Sequence, residues 1–201
     1  MLSAVATLAF FGLAGAMETH SLSLIGFDAA IRMGLHSFSS PPLTLLAEKG
    51  TWLGSLGVIG LFSVLAFVVM VHSGDRRGAV ILTVTMIGAL VLENGLKFSF
   101  QRVRPTPFFG SEPLTYSFPS GHALFSLCFY GAIAITAARL VQPAAIKILI
   151  WLAMTLLVSA IGITRIYLGV HYPSDVLGGY LVAIAWVAVV MAAEQRARSS
   201  E

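Results

Sequence analysis

Charge is what this sequence has least of. Its 201 residues include 12 Lys or Arg and 9 Asp or Glu, so about one residue in ten is charged while 57% are hydrophobic. Soluble domains carry roughly 25% charged residues, and a chain this far below that figure reads as a polytopic membrane protein. Cysteine is almost absent. Cys128 stands alone within an apolar segment, which excludes an intramolecular disulfide, and no Cys/His cluster offers a zinc site. It reads as a small packing residue. Repeats of fixed period and low-complexity stretches are missing too, which leaves a single membrane-embedded domain over residues 1–201. The net charge of +3 is small. In a membrane protein such an excess reports orientation or anionic headgroups rather than nucleic acid, so no nucleic-acid partner is expected. No pattern in the chain specifies an oligomeric state.

What the sequence does have is apolar runs, and spans of about 20 residues leave room for five or six helices. Leu2 to Met17 is short, and its Ala14-Gly15-Ala16 end resembles a signal-peptidase site. No Lys or Arg precedes the run, however, so a retained first span is the better reading. From Thr19 to Gly50 apolar residues alternate with Asp28, Arg32, His36 and serines, the pattern of an interfacial amphipathic segment broken at Pro41-Pro42. A helix packed on the bundle without touching substrate fits that pattern equally. Trp52–His72, Ala79–Leu96, Ala123–Ala138, Ile146–Ile163 and Val176–Ala193 follow as spans two to six, with a tight polar turn at residues 73–78. The expected fold is thus all-α: a bundle of six transmembrane helices with an amphipathic segment between the first and second.

With six spans, Arg76, Arg77, Arg139, Lys147, Arg196 and Arg198 fall on one side, and Arg32, Lys49, Lys97, Arg102, Arg104 and Arg165 on the other. The positive-inside count is a tie. It breaks if part of the second set is retained for chemistry, which would put the Arg76-Arg77 turn in the cytoplasm and the other face outside.

Three segments converge on that other face. Lys97 and Arg104 are seven residues apart and would share a face if the helix continued, although Pro105 discourages helix at Arg104. They suit a clamp on a multiply charged anion, or equally two side chains snorkelling toward headgroups. Pro119-Ser120-Gly121-His122 stands where a helix should start; its amides and hydroxyl can hold phosphate, or it is a cap and a turn. Arg165, His171 and Asp175 form the third segment, with Pro173 suited to a first helical turn. Asp175, four residues after His171, can fix the imidazole tautomer and leave the other nitrogen free to attack, or can make a structural hydrogen bond. Together they supply what phosphoryl transfer needs: cations, amides, a hydroxyl and two histidines. Glu93 lies four residues before Lys97, the spacing of a helical ion pair, and reads as a partner that positions Lys97 or else as a direct participant in catalysis; a carboxylate in an apolar span is costly unless paired. Asn94 accompanies it. Arg102 either joins the headgroup site or faces lipid phosphates, and Tyr116, Phe118, Tyr167 and Tyr172 read as interfacial aromatics around the opening.

The set Lys97-(six residues)-Arg104-Pro105, Pro119-Ser120-Gly121-His122 and Arg165-(five residues)-His171-(three residues)-Asp175 resembles the signature of the type 2 phosphatidic acid phosphatase superfamily, and most of all its small bacterial integral-membrane lipid phosphatases. One departure is Thr164 before Arg165, where the family commonly has Ser; the hydroxyl is kept. The resemblance implies that His171 is the nucleophile, forming a phosphohistidine, that Asp175 orients it, and that His122 is the general acid. It implies phosphate binding by Lys97, Arg104, Ser120, Gly121 and Arg165, with no metal or other cofactor. Soluble vanadium haloperoxidases share similar motifs, but this chain is too apolar and too short for that branch. The implied substrates are lipid phosphates or diphosphates: undecaprenyl diphosphate, phosphatidylglycerophosphate, phosphatidate or lipid A phosphates. The implied location is the bacterial inner membrane, with the site facing away from the cytoplasm. A phosphotransferase using the same histidine, and a lipid transporter or scramblase with a basic mouth, are the alternatives.

Overall fold

The computed structural model describes residues 1–110 and 113–199, and every regular element among the described residues is a helix. These are α1 (Leu2–Glu18), α2 (Leu22–Ser37), α3 (Pro41–Thr51), α4 (Leu56–His72), α5 (Arg76–Phe100), α6 (Gly121–Leu140), α7 (Ala144–Tyr167) and α8 (Pro173–Ser199), with a 3₁₀ turn at Trp52–Gly54 joining α3 to α4. Local chemistry sets the boundaries. Pro41 and Pro42 open α3, where their missing N–H groups cost nothing. The Asp75 carboxylate accepts the Gly78 N–H at 2.8 Å and caps α5, after Gly74 at φ +81° has turned the chain.

Four helices, α5 to α8, are long and apolar enough to cross a membrane; two bent pairs bring the number of spans to as many as six. α1 and α2 meet at 95°, and the segment Pro41–Gly54 meets α4 at 47°. Large apolar side chains such as Leu61, Val64, Leu149 and Leu156 are exposed on the outside. Such a surface suits lipid and would be a liability in water. The buried core runs through the middle, where Phe10, Leu82, Leu124, Cys128 and Ala183 come together from α1, α5, α6 and α8.

One conditional expectation is decided here, and two fail. Lys97 and Arg104 do not share a helix face: α5 stops at Phe100, Gln101 adopts φ +45°, and Arg104 lies in irregular chain. Pro105 is the physical reason, because its ring disfavours helical geometry at the residue before it. Phe118 is no interfacial aromatic but a fully buried side chain, stacked on Phe10 with ring centroids 5.5 Å apart. Tyr167 is also buried, its hydroxyl 2.8 Å from that of Thr44.

The end of the bundle where α5 and α7 finish and α6 and α8 begin holds the candidate site. α2 packs there against α7 and α8, with Ile31 and Leu35 set on Ile166, Val176 and Ala123.

Candidate active site

His171 lies between α7 and α8, 2% exposed, four residues before Asp175 in the first turn of α8. Its Nδ1 is 3.2 Å from Asp175 Oδ2, and its Nε2 is 3.0 Å from Arg104 Nη1. A guanidinium only donates, so Nε2 must carry the lone pair and Nδ1 the proton, which then points at the carboxylate. The tautomer is therefore fixed by the two neighbours. Burial pushes the imidazole down to about 4; the Asp175 carboxylate acts against that shift, and the Arg104 and Arg165 cations add to it.

Asp175 is fully buried and its four acceptor contacts are filled. Oδ2 accepts the Ser117 hydroxyl at 2.5 Å, the Tyr172 N–H at 2.8 Å and the His171 Nδ1–H, while Oδ1 accepts Arg102 Nη1 at 2.6 Å. A carboxylate so saturated stays ionised and cannot swing away from the imidazole.

Arg104 and Lys97 are gathered by the loop that follows them. Arg104 donates from Nε to the Thr115 carbonyl at 2.6 Å and from Nη2 to the Thr115 hydroxyl at 2.9 Å, and Lys97 Nζ donates to the same hydroxyl at 3.3 Å. Glu93 pairs with Lys97 at 2.6 Å, as its spacing predicts. Asn94 turns its amide nitrogen back to the Leu90 carbonyl at 2.8 Å and borders the same cavity as Lys97. Arg102 does not face lipid: it points inward, to Asp175, Ser174 and Asp28.

Pro119 to His122 forms the start of α6. The Ser120 N–H donates to the Asp175 carbonyl at 2.9 Å, which ties the two helix starts together. This close approach requires glycine on α8, since a Cβ on Gly179 would lie 2.6 Å from the Ser120 carbonyl oxygen. A Cβ on Gly121 would meet Glu93 Oε1 at 2.8 Å. The His122 ring rests beside the 3₁₀ turn, where a Cβ on Gly54 would come within 3.2 Å of its Cδ2. Lys97, Arg104, Arg165 and His171 all lie within electrostatic reach of His122.

Two buried polar groups here have no hydrogen-bond partner among the described residues, Ser120 Oγ and Arg165 Nε. Both can donate, and a buried donor left unsatisfied costs about 1–3 kcal/mol. Arg165 is otherwise held by Thr51, whose hydroxyl accepts Nη1 at 2.8 Å. The local charges point the same way. Arg32, Lys97, Arg102, Arg104 and Arg165 surround Asp28, Glu93 and Asp175, so cations exceed carboxylates by two. A phosphate dianion fits both the charge and the idle donors. A cavity of about 590 Å³ lined by Lys97, Arg104, Phe98, Val103 and Leu114 adjoins this cluster. Among the described residues, no three His, Cys, Asp or Glu side chains are grouped to hold a metal.

All three predicted segments are thus brought to one end of the bundle. Sequence reasoning missed Thr51, Thr115, Ser117 and Ser174, whose hydroxyls hold the charged residues, because serine and threonine at helix ends and in loops give no periodic signal. It also passed over Asp28 as a member of the amphipathic pattern. The cost of burying a carboxylate in a largely apolar helix was a usable signal.

Apolar helices long enough to span a bilayer, with a buried imidazole and a cluster of cations at one end, mark an integral-membrane protein. Residues 78–199 match the model of the PAP2 superfamily, and the chain belongs to that superfamily. It is 34% identical to phosphatidylglycerophosphatase B of Bacillus subtilis over 47% of each chain, and 31% identical to lipid A 1-phosphatase of Rhizobium johnstonii over 85% of this chain and 74% of that one. The match to the Bacillus protein thus spans about half its length. The crystal structure of a transmembrane PAP2-type phosphatidylglycerolphosphate phosphatase from Bacillus subtilis superposes with a TM-score of 0.88 at 25% identity, covering 97% of this chain and 96% of that one.

Proposed function

We propose that the protein is a metal-independent lipid phosphatase, hydrolysing a phosphomonoester or diphosphate of a lipid through a phosphohistidine on His171. The observation that carries this reading is the fixed tautomer: Nδ1–H on Asp175 and a lone pair on Nε2 beside Arg104. In the first step Nε2 attacks phosphorus, the N–P bond forms and the bond to the lipid oxygen breaks. His122, protonated once the phosphate dianion offsets the surrounding cations, gives its proton to that oxygen. The imidazolium left at His171 is stabilised by Asp175, and the charge on the phosphoryl oxygens by Lys97, Arg104, Arg165, Ser120 and the Gly121 amide. His122 then takes a proton from water, whose oxygen attacks phosphorus, and the N–P bond breaks. Arg104 Nη1 moves from Nε2 to a phosphate oxygen when substrate enters.

The cavity beside Lys97 and Arg104 supports a lipid substrate, because its lining mixes cations that suit a headgroup with apolar side chains that suit a lipid chain. Phosphatidylglycerophosphate, lipid A phosphates, undecaprenyl diphosphate and phosphatidate all meet that description. We place the protein in the bacterial inner membrane as a single domain of six spans, α1 and α4 to α8. In this placement α2 and α3 form the interfacial segment and the site opens on the extracytoplasmic face. The test is phosphate release by purified protein from a panel of these lipids. Release should persist in a chelator and fall with vanadate, and His171→Ala should lower it on the order of a thousandfold or more. A His171→Ala protein with full activity would defeat the mechanism.

A further inference from the structure

Asp28 sits in the middle of α2, 2% exposed, and lies outside the segment that matches the superfamily model. Its Oδ1 accepts the Ser174 N–H at 2.9 Å, and its Oδ2 accepts the Ser174 hydroxyl at 2.6 Å and Arg102 Nη2 at 2.9 Å. The other terminal nitrogen of Arg102 donates to Ser174 Oγ at 2.7 Å and to Asp175 Oδ1 at 2.6 Å. One guanidinium is therefore shared between two buried carboxylates, and the second of them holds the proposed nucleophile. The same guanidinium sits over the Tyr172 ring, 4.1 Å from its carbon to the ring centroid, which limits its movement further.

The sharing has an electrostatic consequence. Without Asp28, the full attraction of Arg102 would fall on Asp175, drawing its electron density and its position away from His171. The imidazolium that forms as Nε2 attacks would then lose part of its counter-charge in a site where water cannot replace it. Three further cations, Lys97, Arg104 and Arg165, already oppose positive charge on His171 or its neighbour His122. Asp28 offsets the one cation that touches Asp175 directly.

We infer that Asp28 is a positioning residue for the reaction, acting through Arg102 to keep Asp175 committed to His171. This rests on the function proposed above. The arrangement also gives α2 a role that its pattern of apolar and polar residues does not reveal. The helix carries the outer end of a relay of contacts, Asp28 to Arg102 to Asp175 to His171.

The experiment measures kcat, KM and the rate of phosphoenzyme formation for Asp28→Asn, Arg102→Gln and the double variant, on monodisperse protein with a lipid phosphate that the wild type hydrolyses. Asp28→Asn should lower kcat roughly tenfold to a hundredfold with KM unchanged within about twofold, and should slow phosphoenzyme formation in parallel. Once Arg102→Gln has removed the shared cation, adding Asp28→Asn should cost nothing more. A merely structural Asp28 would lower kcat by the same factor in both backgrounds, and that additivity would overturn the proposal, as would an Asp28→Asn protein with wild-type kcat. Ser174→Ala, which keeps both charges but removes the hydroxyl between them, covers the case in which Asp28→Asn does not fold. It should lower kcat about threefold or more, and unchanged kcat in that variant would also overturn the proposal. A wild-type protein that releases no phosphate from any lipid defeats the phosphatase reading itself, whereas an active wild type with an indifferent Asp28 defeats only the positioning role.

Discussion

At His171 the two ring nitrogens face opposite charges, a carboxylate at Nδ1 and a guanidinium at Nε2. An attacking imidazole must be neutral, and burial with its ordinary value of 6.5 pushed down to about 4 keeps it so. The sign is clear: on going from pH 7.5 to 5.5 a solvent-exposed histidine gains a proton, while His171 remains neutral with Nδ1 protonated. Nitrogen chemical shifts of labelled histidine in micelles, assigned with a His171→Gln protein, should show no titration of this ring above about pH 5. A midpoint near 6.5 would contradict the geometry. The four-residue spacing of His171 and Asp175 already offered this tautomer as one of two readings, but not the guanidinium at Nε2 that fixes it. Nothing in the spacing of Arg104 and His171 says that they touch, because 67 residues separate them in the chain.

The helices matter mostly through their ends. α6 and α8 present their first turns to the site, and the Ser120–Asp175 backbone bond with Gly179 at the crossing locks the two together. Gly179→Ala would place a methyl group 2.6 Å from a backbone oxygen, where neither partner can give way without moving a helix. We expect a destabilisation of about 1–3 kcal/mol and a fall in activity, read by thermal melting and phosphate release. Gly60→Ala on α4, where nothing lies within 4 Å of the new carbon, should leave activity unchanged and the melting temperature equal or higher, and serves as the control. The starts and stops of these helices were legible because their causes are local. Pro173 opens α8, and Pro105 ends the helical preference near Arg104. The path of α2 was not legible, since its 95° turn from α1 brings Asp28 to Ser174, 146 residues on.

At the scale of the whole molecule, the proposed orientation puts the site on the extracytoplasmic face. The charge tally is tied, so the proposed orientation leans on the chemistry assigned to the cationic residues. Leu114 is fully exposed beside the cavity, Ser73 is exposed at the opposite end of the bundle, and the native thiol Cys128 is buried. Leu114→Cys should therefore react with an impermeant maleimide in intact cells, and Ser73→Cys only after permeabilisation. The reverse pattern would place the site on the cytoplasmic side.

The sequence by itself determined that the protein is helical and apolar and marked Lys97, Arg104, Ser120, His122, Arg165, His171 and Asp175 as candidates in three short motifs, because hydropathy, proline positions and motif spacings are properties of neighbouring residues. Only the tertiary structure decided that Lys97 and Arg104 meet through Thr115 and not along a helix face, and that Phe118 and Tyr167 belong to the core. It also decided that Arg102 is divided between Asp28 and Asp175. Each of these is a contact between distant parts of the chain. Such contacts depend on how the helices pack, and burial then sets how strongly the charges within them act.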